Sequence, residues 1–205
     1  MDIRTLAAMS TIAVLIMLCS RSVASATPMN NDYFYASSVS DKDDELQRHA
    51  LLLNVDKNHM DPAMAAISQR DFKNALAHLD YTLVRFPNHP RALSLLGAVA
   101  KLTDRPTLAI AYYEHALRLY PQYAFTHAQY GHYLSEISRR EEGILKLKAA
   151  IELDGKLAVA YAWLSEAYSN SGRPELAQEA AEQARQLGYA PPRPLTAPRA
   201  MENRE

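Results

Sequence analysis

The sequence has little cysteine, little glycine and almost no net charge. Its 205 residues include one cysteine, six glycines and 22 basic against 23 acidic residues. A net charge of −1 gives no overall field that would direct the chain to nucleic acid or to an anionic membrane. Few glycines, scarce β-branched runs and a middle rich in alanine and leucine favour an all-α fold. The composition, 48% hydrophobic and 22% charged, argues against wholesale disorder.

Residues 1–26 have the pattern of a signal peptide. Arg4 precedes an apolar run over 6–18, and Ala24-Ser25-Ala26 supplies small residues for cleavage. The apolar run would span about 20 Å as a helix, short of the roughly 30 Å hydrocarbon core of a bilayer. Cleavage after Ala26 predicts a periplasmic or secreted protein that begins at Thr27 and has no cysteine, hence no disulfide.

Two alternatives would tether the chain to a membrane. One is an uncleaved apolar segment, and the other is lipidation of Cys19. A lipidation signal requires a small residue just before the cysteine, whereas this sequence has Leu18. The cleaved signal peptide is therefore the preferred interpretation.

The two flanks of the central region differ in composition. Residues 27–55 form a leader whose acidic residues precede one predicted helix at about 42–54. Its aromatic cluster, Tyr33-Phe34-Tyr35, has three interpretations: insertion into a partner, packing onto the first helices, or a flexible segment with incidental aromatics. Residues 190–205 contain four prolines, which predict an extended, disordered tail; docking to a proline-binding domain is the alternative.

The central region repeats itself every 34 residues. Small residues align at one position of the second helix of each unit, as Ala75, Ala109, Gly143 and Ala177, and at another as Thr82, Ala116, Ala150 and Ala184. Two helices can approach closely only where such short side chains face each other. The units span about 56–89, 90–123, 124–157 and 158–189, so the array covers 56–189.

This pattern resembles the tetratricopeptide repeat (TPR), a 34-residue helix–turn–helix unit. Residues 90–123 carry it best, with Leu93, Leu96, Gly97 and Ala100 on the first helix. The resemblance implies an all-α, right-handed α-solenoid of about four units. The helix over 107–120 is apolar nearly all round, which predicts that it is covered on two sides. The last helix has one polar face and is expected to close the array towards water.

In TPR proteins the first helix of each unit lines a concave surface on which partners dock, and this resemblance supplies the candidate binding residues. By register they are Arg91, Ser94, Ala98, Lys101, Phe125, Ala128, His132, Glu136, Val159, Ala162, Glu166 and Asn170. Phe125 offers an apolar anchor and the small side chains leave room for a ligand. Some TPR adaptors clamp an acidic C-terminus with Lys, Asn and Arg. This chain departs from that pattern, since Ala98 replaces the Asn while Glu136 and Glu166 add negative charge.

The sequence carries no pattern typical of catalysis or of metal binding. It has no glycine-rich phosphate loop, no nucleophile elbow and no His-Glu-x-x-His motif. His127 and His132 lie five residues apart on one helix, so their side chains diverge. We therefore expect no enzymatic activity, no cofactor, no metal, no nucleic acid and no small-molecule substrate.

The function expected is that of an exported adaptor for a protein or peptide partner. At family level the chain resembles the TPR proteins that serve pilus assembly, secretion or cytochrome maturation in the bacterial envelope. A membrane-tethered structural component that acts in oligomerisation is the alternative, and an enzyme is a third and weaker one.

Overall fold

The computed structural model describes Tyr33 and residues 42–190. The predicted signal peptide at 1–26 and the prolines of the tail lie outside the described residues. Nine α-helices follow one another in the described part of the chain: α1 (Lys42–Val55), α2 (Asp61–Ser68), α3 (Phe72–Arg85), α4 (Pro90–Leu102), α5 (Pro106–Leu119), α6 (Ala124–Glu136), α7 (Arg140–Leu153), α8 (Ala158–Asn170) and α9 (Pro174–Gln186). Residues 42–190 contain no strand. The predicted all-α solenoid is confirmed.

None of the helices within the described residues is long and apolar enough to cross a membrane.

One kind of turn joins the two helices of every unit. A residue with positive φ follows the first helix at Arg70 (59°), Asp104 (53°), Ser138 (68°) and Gly172 (70°), at intervals of 34 positions. In each turn the next amide reaches back five residues to a carbonyl of the first helix, as Arg105 N–H does to Ala100 O over 2.7 Å. This 6→1 bond is the Schellman ending, which satisfies carbonyls that a helix end leaves unpaired.

The aligned small residues lie where helices touch. Ala75, Ala109, Gly143 and Ala177 are all buried, and so are Thr82, Ala116, Ala150 and Ala184. The closest approach is between α6 and α7, because glycine occupies both sides of that contact. A Cβ added at Gly131 would lie 2.7 Å from Gly143 O, and one added at Gly143 would lie 2.6 Å from Gly131 O. These distances leave no room for a methyl group.

The leader helix and the first helix of the array are continuous. A π-helical turn, Asp56–Met60, joins α1 to α2, and its flanking residues Val55 and Asp61 both have right-handed helical dihedrals. Pro62 follows at the start of α2. Proline has no N–H for an i→i−4 bond, and a wider turn before it accommodates this loss without ending the helix. The sequence predicted a boundary here, whereas the backbone continues through it.

The two predictions about helix coverage are confirmed, although each helix buries few residues fully. As predicted, α5 packs against helices on two sides, α4 and α6. Ala109, Tyr113 and Ala116 are buried, most of its other apolar residues are half-buried, and Ala111 and Leu119 are exposed. In α9 the buried residues are Ala177, Ala180 and Ala184, and the exposed polar face includes Glu175, Gln178 and Glu179, as predicted for the helix that closes the array.

A polar cluster connects the leader to the junction between the first two units. The buried His89 accepts the Ala92 N–H at Nδ1 (3.2 Å), so its Nε2–H donates to Asp56 Oδ1 (3.2 Å). Burial lowers the pKa of His89, although Asp56 opposes this. The Tyr33 N–H donates to Asn88 Oδ1 (2.8 Å), and its ring centroid lies 4.6 Å from that of His89. Of the three interpretations of the aromatic cluster, packing onto the array is therefore right for Tyr33; Phe34 and Tyr35 lie outside the described residues.

Candidate functional site

The first helices of three successive units, α4, α6 and α8, line one cavity of about 310 Å³. Five of the predicted binding residues line it: Ser94, Ala98, Lys101, His132 and Glu136. Five further residues line it that register alone did not predict: Gly97, Tyr113, Gln129, Tyr133 and Trp163. We call this cavity and the inner surfaces of the three helices the inner groove.

Most of the other predicted residues lie beside the cavity. Phe125 is half-buried, with its ring centroid 6.3 Å from that of Trp163. Val159 and Ala162 on α8 are half-buried, and Glu166 and Asn170 are exposed on the same helix.

Arg91 lies at the start of α4 and does not line the cavity. It is exposed, its guanidinium is 3.9 Å from Asp56 Oδ1, and it donates to Met64 Sδ over 3.1 Å.

The prediction for Ala128 is wrong. This residue has no exposed surface and belongs to a buried cluster with Leu147, Ala160 and Leu164. Its register position is the same as that of the exposed Ser94, but side chains of α7 and α8 cover it. A partner in the inner groove therefore cannot touch Ala128.

A chain of charged groups crosses the groove from α4 to α8. Lys101 Nζ donates to Glu136 Oε1 at 2.6 Å. The imidazole of His132 lies between two carboxylates, with Nε2 4.0 Å from Glu136 Oε1 and Nδ1 3.9 Å from Glu166 Oε2. It also stacks on Trp163, with ring centroids 4.6 Å apart and planes 11° from parallel. The His132 ring is thus held flat against the wall of the groove.

The amide of Gln129 is fixed at the α4 side of the groove. Its Nε2 donates to Pro90 O (2.9 Å) and to Ser94 Oγ (2.8 Å). The side chain is nearly buried, and its Oε1 has no hydrogen-bond partner among the described residues. Gln129 therefore joins α6 to α4 and leaves one buried acceptor beside the cavity.

Tyrosines form the floor of the groove. The Tyr113 ring packs 5.6 Å from that of Tyr133, whose hydroxyl donates to Pro106 O over 2.8 Å. The Tyr133 ring can pack against Gly97 because glycine has no side chain; a Cβ at Gly97 would lie 2.9 Å from the Tyr133 ring. Burial raises the pKa of Tyr133 to about 12, so its hydroxyl is a neutral donor at physiological pH. The floor is a packed aromatic surface rather than a titrating one.

A shallower depression of about 510 Å³ lies between α5, α6 and α7 and is lined in part by Glu114, Arg118 and Lys146. Its lining residues come from the second and third units alone, among the described residues. The inner groove is the smaller cavity, but three repeats converge on it and it contains five residues that the register predicted. For this reason we take the inner groove as the candidate site.

Two histidines lie close together outside the inner groove, where α3 meets the π-helical turn. His59 Nδ1 is 3.2 Å from His78 Nδ1, and the His59 ring stacks on Tyr81 at 3.6 Å. Burial lowers the pKa of His59, and His78 and Arg85 lower it further. Within residues 42–190, no group of three or more His, Cys, Asp or Glu side chains converges so as to hold a metal ion.

The fold and the groove define a helical-repeat protein with a ligand-sized inner surface. The sequence profile of the family described as "Tetratricopeptide repeat" matches residues 90–123 and 158–187. These matches coincide with the second and fourth units and confirm the resemblance noted from the sequence. Residues 90–123 and 158–187 are thus tetratricopeptide repeats, and the described helices have the architecture of a helical-repeat scaffold for protein–protein interaction.

One of the similar solved structures shows the same fold. PilF of Pseudomonas aeruginosa superposes with a TM-score of 0.52 at 22% identity, over 66% of this chain and 62% of that one. YrrB, a TPR protein with an unusual peptide-binding site, superposes with a TM-score of 0.48 at 21% identity, over 62% of this chain and 65% of that one. MamA of Desulfovibrio magneticus RS-1 superposes with a TM-score of 0.48 at 22% identity, over 61% of this chain and 71% of that one. The chain thus spans less than two thirds of the length of PilF and of YrrB. No curated protein sequence matches the chain.

Proposed function

We propose that this chain is an exported adaptor that holds a protein or peptide partner in its inner groove during assembly of the bacterial envelope. The observation that supports the proposal best is the convergence of α4, α6 and α8 on one cavity of about 310 Å³. Its packed aromatic floor, its fixed amide and its charged groups provide apolar area and polar contacts at defined places, as ligand sites require.

A bulky side chain at the mouth of the groove tests this proposal. Ser94 is exposed on α4 and lines the cavity. Ser94→Trp should block the partner; it removes one hydrogen bond, from Gln129 Nε2, but that group keeps its second acceptor, Pro90 O, so the fold should be retained. The matched control is Ala111→Trp, which places the same side chain at an exposed position of α5 outside the cavity.

The assay is affinity purification from the native organism with each variant, followed by quantitative mass spectrometry. The proposal expects a partner that the wild type and Ala111→Trp retain and that Ser94→Trp loses, with equal circular dichroism for all three. Equal retention by both variants would move the binding surface away from the inner groove.

Export is a separate part of the proposal and rests on the pattern of residues 1–26. Cleavage after Ala26 requires that the envelope form of the protein begin at Thr27. N-terminal sequencing and intact mass measure this directly. A form that begins at a lipidated Cys19, or one that retains Met1, would instead support the tethered component, whose array acts in oligomerisation.

A further inference from the structure

The inner groove has opposite charges on its two sides. Its α4 side carries the cations Arg91 and Lys101, while Glu136 on α6 and Glu166 on α8 carry the anions. A charge pattern of this kind selects and orients a bound partner more than it adds affinity. The sign of the charge on each side therefore indicates which partner groups lie there.

The two sides differ in how far their charges are already neutralised. Lys101 is paired with Glu136 at 2.6 Å. Among the described residues, the only ion-pair contact of Glu166 is His132, whose Nδ1 is 3.9 Å away, and the Glu166 side chain is 57% exposed. One imidazole contact at that distance does not fully compensate an exposed carboxylate. The α8 side of the groove thus presents an exposed negative charge that lacks a full counter-charge.

Aromatic rings lie next to this carboxylate. Glu166 contacts the His132 ring, which stacks on Trp163, and Phe125 packs near the indole at 6.3 Å between centroids. A carboxylate beside flat aromatic rings suits an arginine or lysine side chain, since a cation gains from the carboxylate and from the ring face together. Arginine suits it better, because a guanidinium is planar and can stack.

We propose that the α8 side of the inner groove binds a basic side chain, arginine above lysine, of an extended peptide partner, through Glu166 and the His132–Trp163 stack. This inference rests on the proposed function, since it names the partner chemistry for the same groove. The peptide then lies across the helices with its basic residue at α8 and its remaining length towards α4. An acidic peptide meets Glu166 at this side and is disfavoured.

The experiment uses an array of random 12-residue peptides, blocked at both ends, probed with the folded protein from Thr27 to its end. Binders are sorted by whether Ser94→Trp abolishes their binding, which identifies those in the inner groove. Groove binders should be enriched in arginine and lysine, and replacing the basic residue with citrulline or glutamate should weaken them.

Glu166→Gln tests the residue itself. It should weaken the arginine-containing groove binders about threefold to fivefold, the size expected for one partly exposed ion pair, and this loss should shrink as salt is raised. The matched control is Glu179→Gln, at an exposed position of α9 remote from the cavity, which should leave binding unchanged.

The outcomes separate the two proposals. Groove binders without a preference for basic residues, or an equal effect of the two glutamine variants, would overturn the inference and leave the adaptor function standing. Binders that Ser94→Trp does not displace would overturn the proposed site, and the inference with it.

Discussion

Replacing Gly143 with alanine tests how closely α6 and α7 approach each other. The other three units carry alanine at this register position, as Ala75, Ala109 and Ala177, so the repeat pattern alone would make Gly143→Ala harmless. Alanine is also the better helix former, by about 1 kcal/mol in a helix interior. By these two arguments the substitution should stabilise the protein.

The geometry of the helix contact predicts the opposite result. A Cβ at Gly143 would lie 2.6 Å from Gly131 O and 3.0 Å from Ser135 N, and it would overlap Ser135 Oγ. Rotation of the serine removes only the last of these clashes, because the other two atoms belong to the backbone of α6. The helices must move apart. Overpacking costs about 1–3 kcal/mol, and two clashes with backbone atoms at 3.0 Å or less place this substitution near the upper end, about 2–3 kcal/mol. After the propensity gain of about 1 kcal/mol the net loss is roughly 1–2 kcal/mol.

Urea denaturation followed by circular dichroism at 222 nm measures this loss, as does a melting temperature lower by about 2–4 °C per kcal/mol for a chain of this size. Gly155→Ala is the matched control, because a Cβ there would meet only Ile151 O, at 3.8 Å. Gly143→Ala with stability equal to or above that of the wild type would refute the close contact between α6 and α7.

Two further predictions concern the turns and the histidines. Gly172→Ala should lower the free energy of unfolding by about 1 kcal/mol relative to Gly155→Ala, because φ at Gly172 is +70°. No atom lies within 4 Å of an added Cβ there, so backbone strain is the only cost. Equal melting temperatures for the two variants would contradict this. The free energy of unfolding should fall as the pH drops below about 6.5, because burial lowers the pKa of His59, His89 and His127 in the folded state and the unfolded chain then binds more protons. Urea titrations at pH 7.5 and 5.5 measure this fall. If a His89→Gln variant kept the same pH dependence, His89 would not contribute to it.

The 34-residue period was sufficient to predict the helices, their order and their closest contacts. Small residues at fixed positions leave few ways for helix pairs to pack, and the structure buries those residues in every unit. The turns were visible only in part: Asp104 and Gly172 are typical turn residues, whereas Arg70 and Ser138 adopt the same positive φ without that signal.

Register predicted the inner groove less completely, because it assigns a direction to each position and says nothing of side-chain length. Gln129, Tyr133 and Trp163 each follow a predicted inner position by one residue, and their long side chains reach sideways into the cavity. Ala128 shows the reverse effect: a short side chain at an inner position is covered by its neighbours. The arrangement of His132 between two carboxylates depends on contacts across three helices, which no local pattern encodes.

Site-specific photo-cross-linking in the native organism tests most directly the claim that the inner groove holds the partner. A benzophenone amino acid is placed at Asn170 on α8 in one variant and at Ala111 on α5 in another, both exposed positions. The account predicts a discrete cross-linked protein from position 170, absent from position 111 and reduced when Glu166→Gln is added. The same product from both positions, or a product from position 111 alone, would contradict it.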